Sequence, residues 1–175
     1  MGYKADRLLG TRICESWRQR SSGRRTRPWP GFGDEPSYMT HVVQFCQWTL
    51  AAAPGHPLFE NAIKTSVKRI VDLAAAKKVS ISDLDPIGYE VITTTGPSAW
   101  TDVVFEQLQR GDPKLRSLKE LSGMKEPRLI GDILVLTIDG FGMGQPHSHS
   151  TADGSIPDAA LAKHGFRHSW LPKIS

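Results

Sequence analysis

The stretch Arg128-Leu-Ile-Gly-Asp-Ile-Leu-Val-Leu-Thr-Ile138 decides how this chain reads as a fold. Ile130, Ile133, Leu134, Val135, Leu136 and Ile138 form a near-continuous apolar run. A strand with one wet face alternates with period two, so a run without alternation predicts a strand covered on both faces. Residues 128–138 are therefore expected to be a central sheet strand. Directly after it, Gly140, Gly142, Gly144 and Pro146 lead into His147-Ser-His-Ser150. Loops leaving strand ends in open α/β sheets are where ligands usually bind.

Upstream, Ser98 through Leu108 reads as a helix closed by Gly111, entered by the turn Thr95-Gly96-Pro97. The β-branched segment Glu90–Thr95 before it reads as a short strand. Pro57 suits the first turn of a further helix, with an apolar face of Leu58, Ala62, Ile63, Val67, Ile70, Val71 and Ala74. Lys77 and Lys78 complement its C-terminal dipole. Before that, Val42, Val43, Phe45, Cys46, Thr49 and Leu50 recur at helical spacing after Ser37, which predicts a buried helix ending at Pro54-Gly55. A last short helix is expected from Pro157 to Gly165. Strands and helices in this order give an α/β class without internal repeats.

Residues 1–36 differ in kind: Arg18, Arg20, Arg24, Arg25 and Arg27 lie among Ser21, Ser22, Gly23, Pro28, Pro30, Gly31 and Gly33. This segment is expected to be a basic, mostly disordered head, with the domain proper at 37–175. The chain has 175 residues and 19.3 kDa, enough for one domain. Its 39% hydrophobic and 23% charged residues exclude a coiled coil, a collagen-like repeat and wholesale disorder. The net charge of +4 comes from the first 40 residues, with 8 Lys/Arg against 4 Asp/Glu; the remainder holds 14 against 14. A neutral body needs no nucleic acid or other polyanion, although Trp17 and Trp29 among the arginines leave an RNA-binding arm as an alternative. The longest apolar segment, Leu129–Ile138, is interrupted by Gly131, Asp132 and Thr137, so neither a membrane anchor nor a signal is expected. Cys14 and Cys46 are too few for structural zinc, and Cys46 reads as a small buried residue.

Three places could carry chemistry. The Thr95–Ser98 turn opens a helix whose free N–H groups suit an oxyanion or sugar hydroxyls. Just inside it, Trp100 and Asp102 suit stacking on a sugar and accepting its hydroxyls, or simple packing and dipole compensation. The second is the pair His147 and His149, which suits a metal or a diphosphate. The third is His164-Gly-Phe-Arg-His-Ser-Trp170, which gathers an imidazole, a guanidinium, a hydroxyl and an indole N–H suited to a diphosphate, or else forms an ordered tail with Trp170 in the core. Asp83-Leu-Asp85 has the Asp-x-Asp form of a cation site, but Ser80, Ser82, Pro86 and Gly88 around it explain both carboxylates by capping and turning.

Four blocks together resemble the C-terminal half of glycosyltransferase family 32, in particular its fungal initiation-specific α-1,6-mannosyltransferases. They are Gln44-Phe-Cys-Gln-Trp-Thr-Leu-Ala-Ala-Ala-Pro-Gly-His-Pro57, Thr95-Gly-Pro-Ser-Ala-Trp-Thr-Asp102, Gly131-Asp-Ile-Leu-Val-Leu136 with Phe141-Gly-Met-Gly-Gln-Pro-His147, and His164–Trp170. The resemblance implies a GT-A-like, Rossmann-like fold in the Golgi lumen that moves mannose from GDP-mannose to an N-linked oligomannose acceptor with Mn²⁺. It implies Asp102 as the catalytic residue. His164, Ser169 and Trp170 would face the donor diphosphate, His164 also the metal, and Gly96, Pro97 and His147 the sugar pocket. His168 and Thr137 depart from the family pattern, which usually has Gly and Pro there. The family also has an upstream βα half bearing Asp-x-Asp and a membrane anchor, and residues 1–40 supply neither. The chain thus reads as a truncated or decayed member, weakly active or inactive alone, or as a non-catalytic partner of a full-length transferase.

Overall fold

The computed structural model describes residues 40–141, 143, 150, 151 and 153–163, and the backbone alone of residues 9–15. In chain order the elements are β1 (Leu9–Glu15), β2 (Val43–Phe45), α1 (Pro57–Lys77), α2 (Gly88–Thr94), α3 (Pro97–Gly111), β3 (Arg128–Ile130) and β4 (Ile133–Leu136). Single 3₁₀ turns stand at Ile81–Asp83 and Leu118–Leu121. The strands form one mixed sheet in the order β2-β1-β4-β3. β1 runs antiparallel to β2, with Cys14 opposite Gln44, and parallel to β4, with Thr11 opposite Val135. The class is α/β, as expected from the sequence. β1 falls inside the basic head; residues 16–39 lie outside the described residues.

Residues 128–138 fold as a hairpin, not as one strand. Ile130 pairs with Ile133 across the two-residue turn Gly131-Asp132, where Gly131 takes φ +61, a conformation that costs a side-chain-bearing residue energy. The glycine that interrupts the apolar run is thus a chain reversal. β4 still sits inside the sheet between β1 and β3, and Ile133, Val135 and Leu136 are buried, so the central position holds for that half of the run.

Two more expectations are corrected. The segment expected to be a helix from Ser37 to Pro54 contains β2, in which Val43, Gln44 and Phe45 are all buried. β1 pairs along one edge of β2 and α3 packs against it, and a strand whose three residues are all buried has no period to betray it. Conversely Glu90–Thr95, expected to be a strand, lies largely in α2. The Glu90 carboxylate accepts the Ile87 N–H at 2.8 Å and satisfies the helix start. The hydroxyls of Thr93 and Thr94 donate back to the carbonyls of Tyr89 and Glu90, so the β-branched residues are accommodated by the helix. The helix expected at Pro157–Gly165 is absent from its described part, 157–163, which is turn and extended chain bridged from Lys163 to Met143.

The helices expected at Pro57–Lys78 and Ser98–Leu108 are present. His56 caps α1, its Nδ1 accepting the Leu58 N–H at 3.2 Å, and Pro57 fills the position where no N–H is needed. Lys78 ends α1 in the left-handed region. α3 is the hub of the core: Trp100, Val103, Val104 and Leu108 join Val43, Phe45, Leu58, Ile130, Ile133 and Val135 in one buried cluster with Leu115 and Leu121. Cys46 is buried as expected.

Candidate functional site

The candidate site lies where α2 turns into α3, because four separated segments meet there. Gly96 is the N-cap of α3, with Pro97 at its first position. The turn is tight: a Cβ on Gly96 would stand 2.6 Å from the Ile92 Cα and 3.0 Å from the Ile92 carbonyl oxygen. Both obstacles are backbone, so Gly96→Ala is expected to destabilise the chain by about 2 kcal/mol in urea unfolding, from forced separation of α2 and α3.

The segment around β2 is laced to this corner. Thr40 Oγ1 donates to Ser98 Oγ at 2.7 Å, and the Phe45 N–H donates to Thr101 Oγ1 at 2.9 Å. The Gln47 amide donates to the Thr95 carbonyl at 2.8 Å. Thr101 Oγ1 in turn donates to the Pro97 carbonyl, so this buried hydroxyl is used as donor and acceptor together.

Asp102 sits one turn into α3, half-buried, with both carboxylate oxygens held. His41 Nε2 lies 2.8 Å from Oδ1, and a guanidinium nitrogen of Arg69 in α1 lies 2.7 Å from Oδ2. The other terminal nitrogen of Arg69 donates to the Thr93 carbonyl of α2, so one side chain ties α1, α2 and α3. Burial by itself pushes the Asp102 carboxyl up, but the hydrogen bonds and charges of His41 and Arg69 outweigh it and hold the group below the ordinary Asp range. The folded-state value is lowered, so this contribution to stability is fully present above the unfolded value. It is lost as pH falls through the folded one. At neutral pH the corner presents an ionised acceptor with unused lone pairs, suited to hydroxyl groups.

Gly96, Pro97 and Asp102, singled out from the sequence, therefore share one corner. Trp100 does not serve there: it is buried, and its ring stacks on Phe59 with centroids 5.9 Å apart. The aromatic at this position belongs to the core. His147, His164, Ser169 and Trp170 lie outside the described residues. The base of the loop that carries His147 is fixed, since Asp139 accepts the Thr151 N–H at 2.7 Å and its hydroxyl at 2.9 Å. Asp83 accepts the Ser80 hydroxyl at 2.6 Å within a 3₁₀ turn that Ser80 caps, a local turn role as expected for the first carboxylate of this Asp-x-Asp.

Among the described residues no group of three or more His, Cys, Asp or Glu is placed to hold a metal ion. Asp102 has both oxygens engaged, Oδ2 by a guanidinium whose fixed charge repels a cation, and no second carboxylate stands beside it among the described contacts, so the described part of the site does not fit Mn²⁺. Among the described residues no helix is long and apolar enough to cross a membrane.

Sequence reading missed His41 and Arg69. Arg69 carried a signal, a cation beside Ile70 on the apolar side of an amphipathic helix, where charges are rare unless paired. His41 carried none.

The chain is 35% identical over 143 residues to the initiation-specific alpha-1,6-mannosyltransferase of Schizosaccharomyces pombe, a match covering 81% of this chain and 34% of the relative. This chain belongs to the fungal mannosyltransferase-like family. The Candida albicans protein of the same name is 29% identical to this mannosyltransferase-like chain over 160 residues, 81% of it and 39% of the relative. The putative glycosyltransferase HOC1 of Saccharomyces cerevisiae is 23% identical over 97 residues, 53% of this chain and 24% of the relative. The mannosyltransferase-like chain thus spans about a third of the length of the first two relatives. No protein-family model and no solved structure matches it.

Proposed function

We propose that the chain is a glycosyltransferase-family protein that serves transfer of mannose from GDP-mannose to an N-linked oligomannose acceptor in the Golgi lumen, as part of a GT-A-like domain. The observation that carries this reading is the similarity to the S. pombe enzyme together with an ionised Asp102 at the Gly96-Pro97 corner. In this reading Asp102 accepts hydroxyls of the sugar beside Gly96, Pro97 and His147, and His164, Ser169 and Trp170 face the donor diphosphate. Mn²⁺ is the metal the family reading calls for, and no residue role here depends on it.

Titration with methyl α-mannopyranoside, followed by NMR, tests the sugar role. Binding is expected, weakened about tenfold by Asp102→Asn, since the charged acceptor is lost while the shape is kept. No mannoside binding, or equal binding by the variant, overturns the reading. Transfer from GDP-mannose by the purified 175 residues alone is expected to be weak or absent; robust turnover would show the described site to be part of a self-sufficient enzyme.

A second reading, a non-catalytic partner of a full-length transferase, is favoured by one observation. Ile63, Val67 and Val71 recur every fourth residue along α1 and are 66%, 55% and 46% exposed, although the sequence placed them on the buried face. Co-elution with a full-length relative would support it, and separate elution would remove it.

A further inference from the structure

The dipeptide Thr40-His41 bridges one turn of α3 through both nitrogens of the imidazole. On one side Nε2 faces Asp102 Oδ1 at 2.8 Å; on the other Nδ1 faces Thr40 Oγ1 at 2.8 Å. Thr40 then reaches Ser98, which lies four residues before Asp102 on the same face of the helix. The carboxylate only accepts, so Nε2 donates to it. The Thr40 hydroxyl stands between Nδ1 and Ser98 Oγ and fixes the other edge of the ring.

We propose that His41 is a positioning residue that aims Asp102 at the sugar. The proposal rests on the reading of Asp102 as the sugar-facing carboxylate. The charged groups facing His41 among the described contacts are Asp102 from α3 and, on the far oxygen of that carboxylate, Arg69 from α1; Thr40 and Ser98 are the neutral ones. Arg69 stays charged throughout the physiological range and holds Oδ2 at every pH. His41 holds Oδ1, so the carboxylate is gripped at both oxygens and its direction at the corner is set from two sides.

Two measurements on the full chain test this. Affinity for methyl α-mannopyranoside is expected to fall about fivefold in His41→Ala, which frees one carboxylate oxygen. His41→Gln keeps an N–H for Asp102, so its affinity is expected to stay within about twofold of the native value. Independently of sugar, the carboxyl ¹³C titration of Asp102 is expected to move up toward the ordinary Asp range in His41→Ala. If native chain binds no mannoside while Asp102 still shifts in His41→Ala, the sugar reading falls and the positioning by His41 stands. An unchanged Asp102 titration in His41→Ala, or an affinity of His41→Ala equal to that of the native chain, overturns the proposal.

Discussion

Phe45→Ala is expected to remove about 3–5 kcal/mol of stability, the largest loss of any single truncation near the site. The ring is fully buried, in a three-residue strand paired along one edge with β1 and packed against α3. Its cluster joins α1 through Leu58, α3 through Val104 and Leu108, and the hairpin through Ile133 and Val135, so no mobile surface can collapse into the space left behind. The bond to Thr101 Oγ1 is donated by the Phe45 main-chain N–H and survives the change, so the loss measures packing alone. Native domains are stable by roughly 5–15 kcal/mol, and this one substitution therefore takes a large share. Urea unfolding followed by circular dichroism measures it. Val42→Ala, whose side chain is exposed, serves as the control and is expected to stay within about 0.5 kcal/mol of native. A Phe45 loss as small as that of Val42 would mean that β2 is not part of the cooperative core.

The same strand explains why some elements were legible in the sequence and others were not. α1 and α3 announce themselves because a proline stands at the first helical position of each and their apolar residues follow the helical period. β2 defeats that reading, since Val43, Gln44 and Phe45 are buried together and leave neither alternation nor a polar face. α2 misleads in the other direction: Val91, Ile92 and three threonines suggest a strand, and the outcome turns on one local cap, Glu90 on the Ile87 N–H. In the candidate site, the Gly96-Pro97 corner and Asp102 were readable because they lie within seven consecutive residues. Their partners were not. His41 is 61 positions from Asp102 and Arg69 is 33, and pairings at such distances are set by how α1 and the β2 segment dock on α3. Trp100 was left open between a sugar and the core, because an aromatic beside a carboxylate looks the same in sequence whether it faces a sugar or Phe59.

Gly131→Ala is expected to cost about 3 kcal/mol, through two separable effects. The first is local: Gly131 takes φ +61 at the hairpin turn, where a side-chain-bearing residue is strained by roughly 1–2 kcal/mol. The second is a contact between backbones. A Cβ on Gly131 would stand 2.9 Å from the Gly111 Cα, and one on Gly111 would stand 2.8 Å from the Gly131 Cα, so the end of α3 touches the hairpin with no side chain between them. Overpacking at such a point costs about 1–3 kcal/mol, because neither backbone can rotate out of the way. Gly111→Ala introduces the contact without the turn strain and is expected to cost about 1–2 kcal/mol, after the small helix-propensity gain of alanine. The double variant should cost less than the sum, since the hairpin needs to move away from α3 only once. That movement also bears on the neighbourhood of the site. The turn carries Asp132, whose Oδ2 stands 3.5 Å from the buried Nε2 of His56, too long for a hydrogen bond but within reach of its charge, and His56 caps the helix that presents Arg69 to Asp102. Urea unfolding of the three variants measures the stabilities. Strict additivity would show that the glycine pair is not in contact and that the positive φ alone keeps Gly131 a glycine.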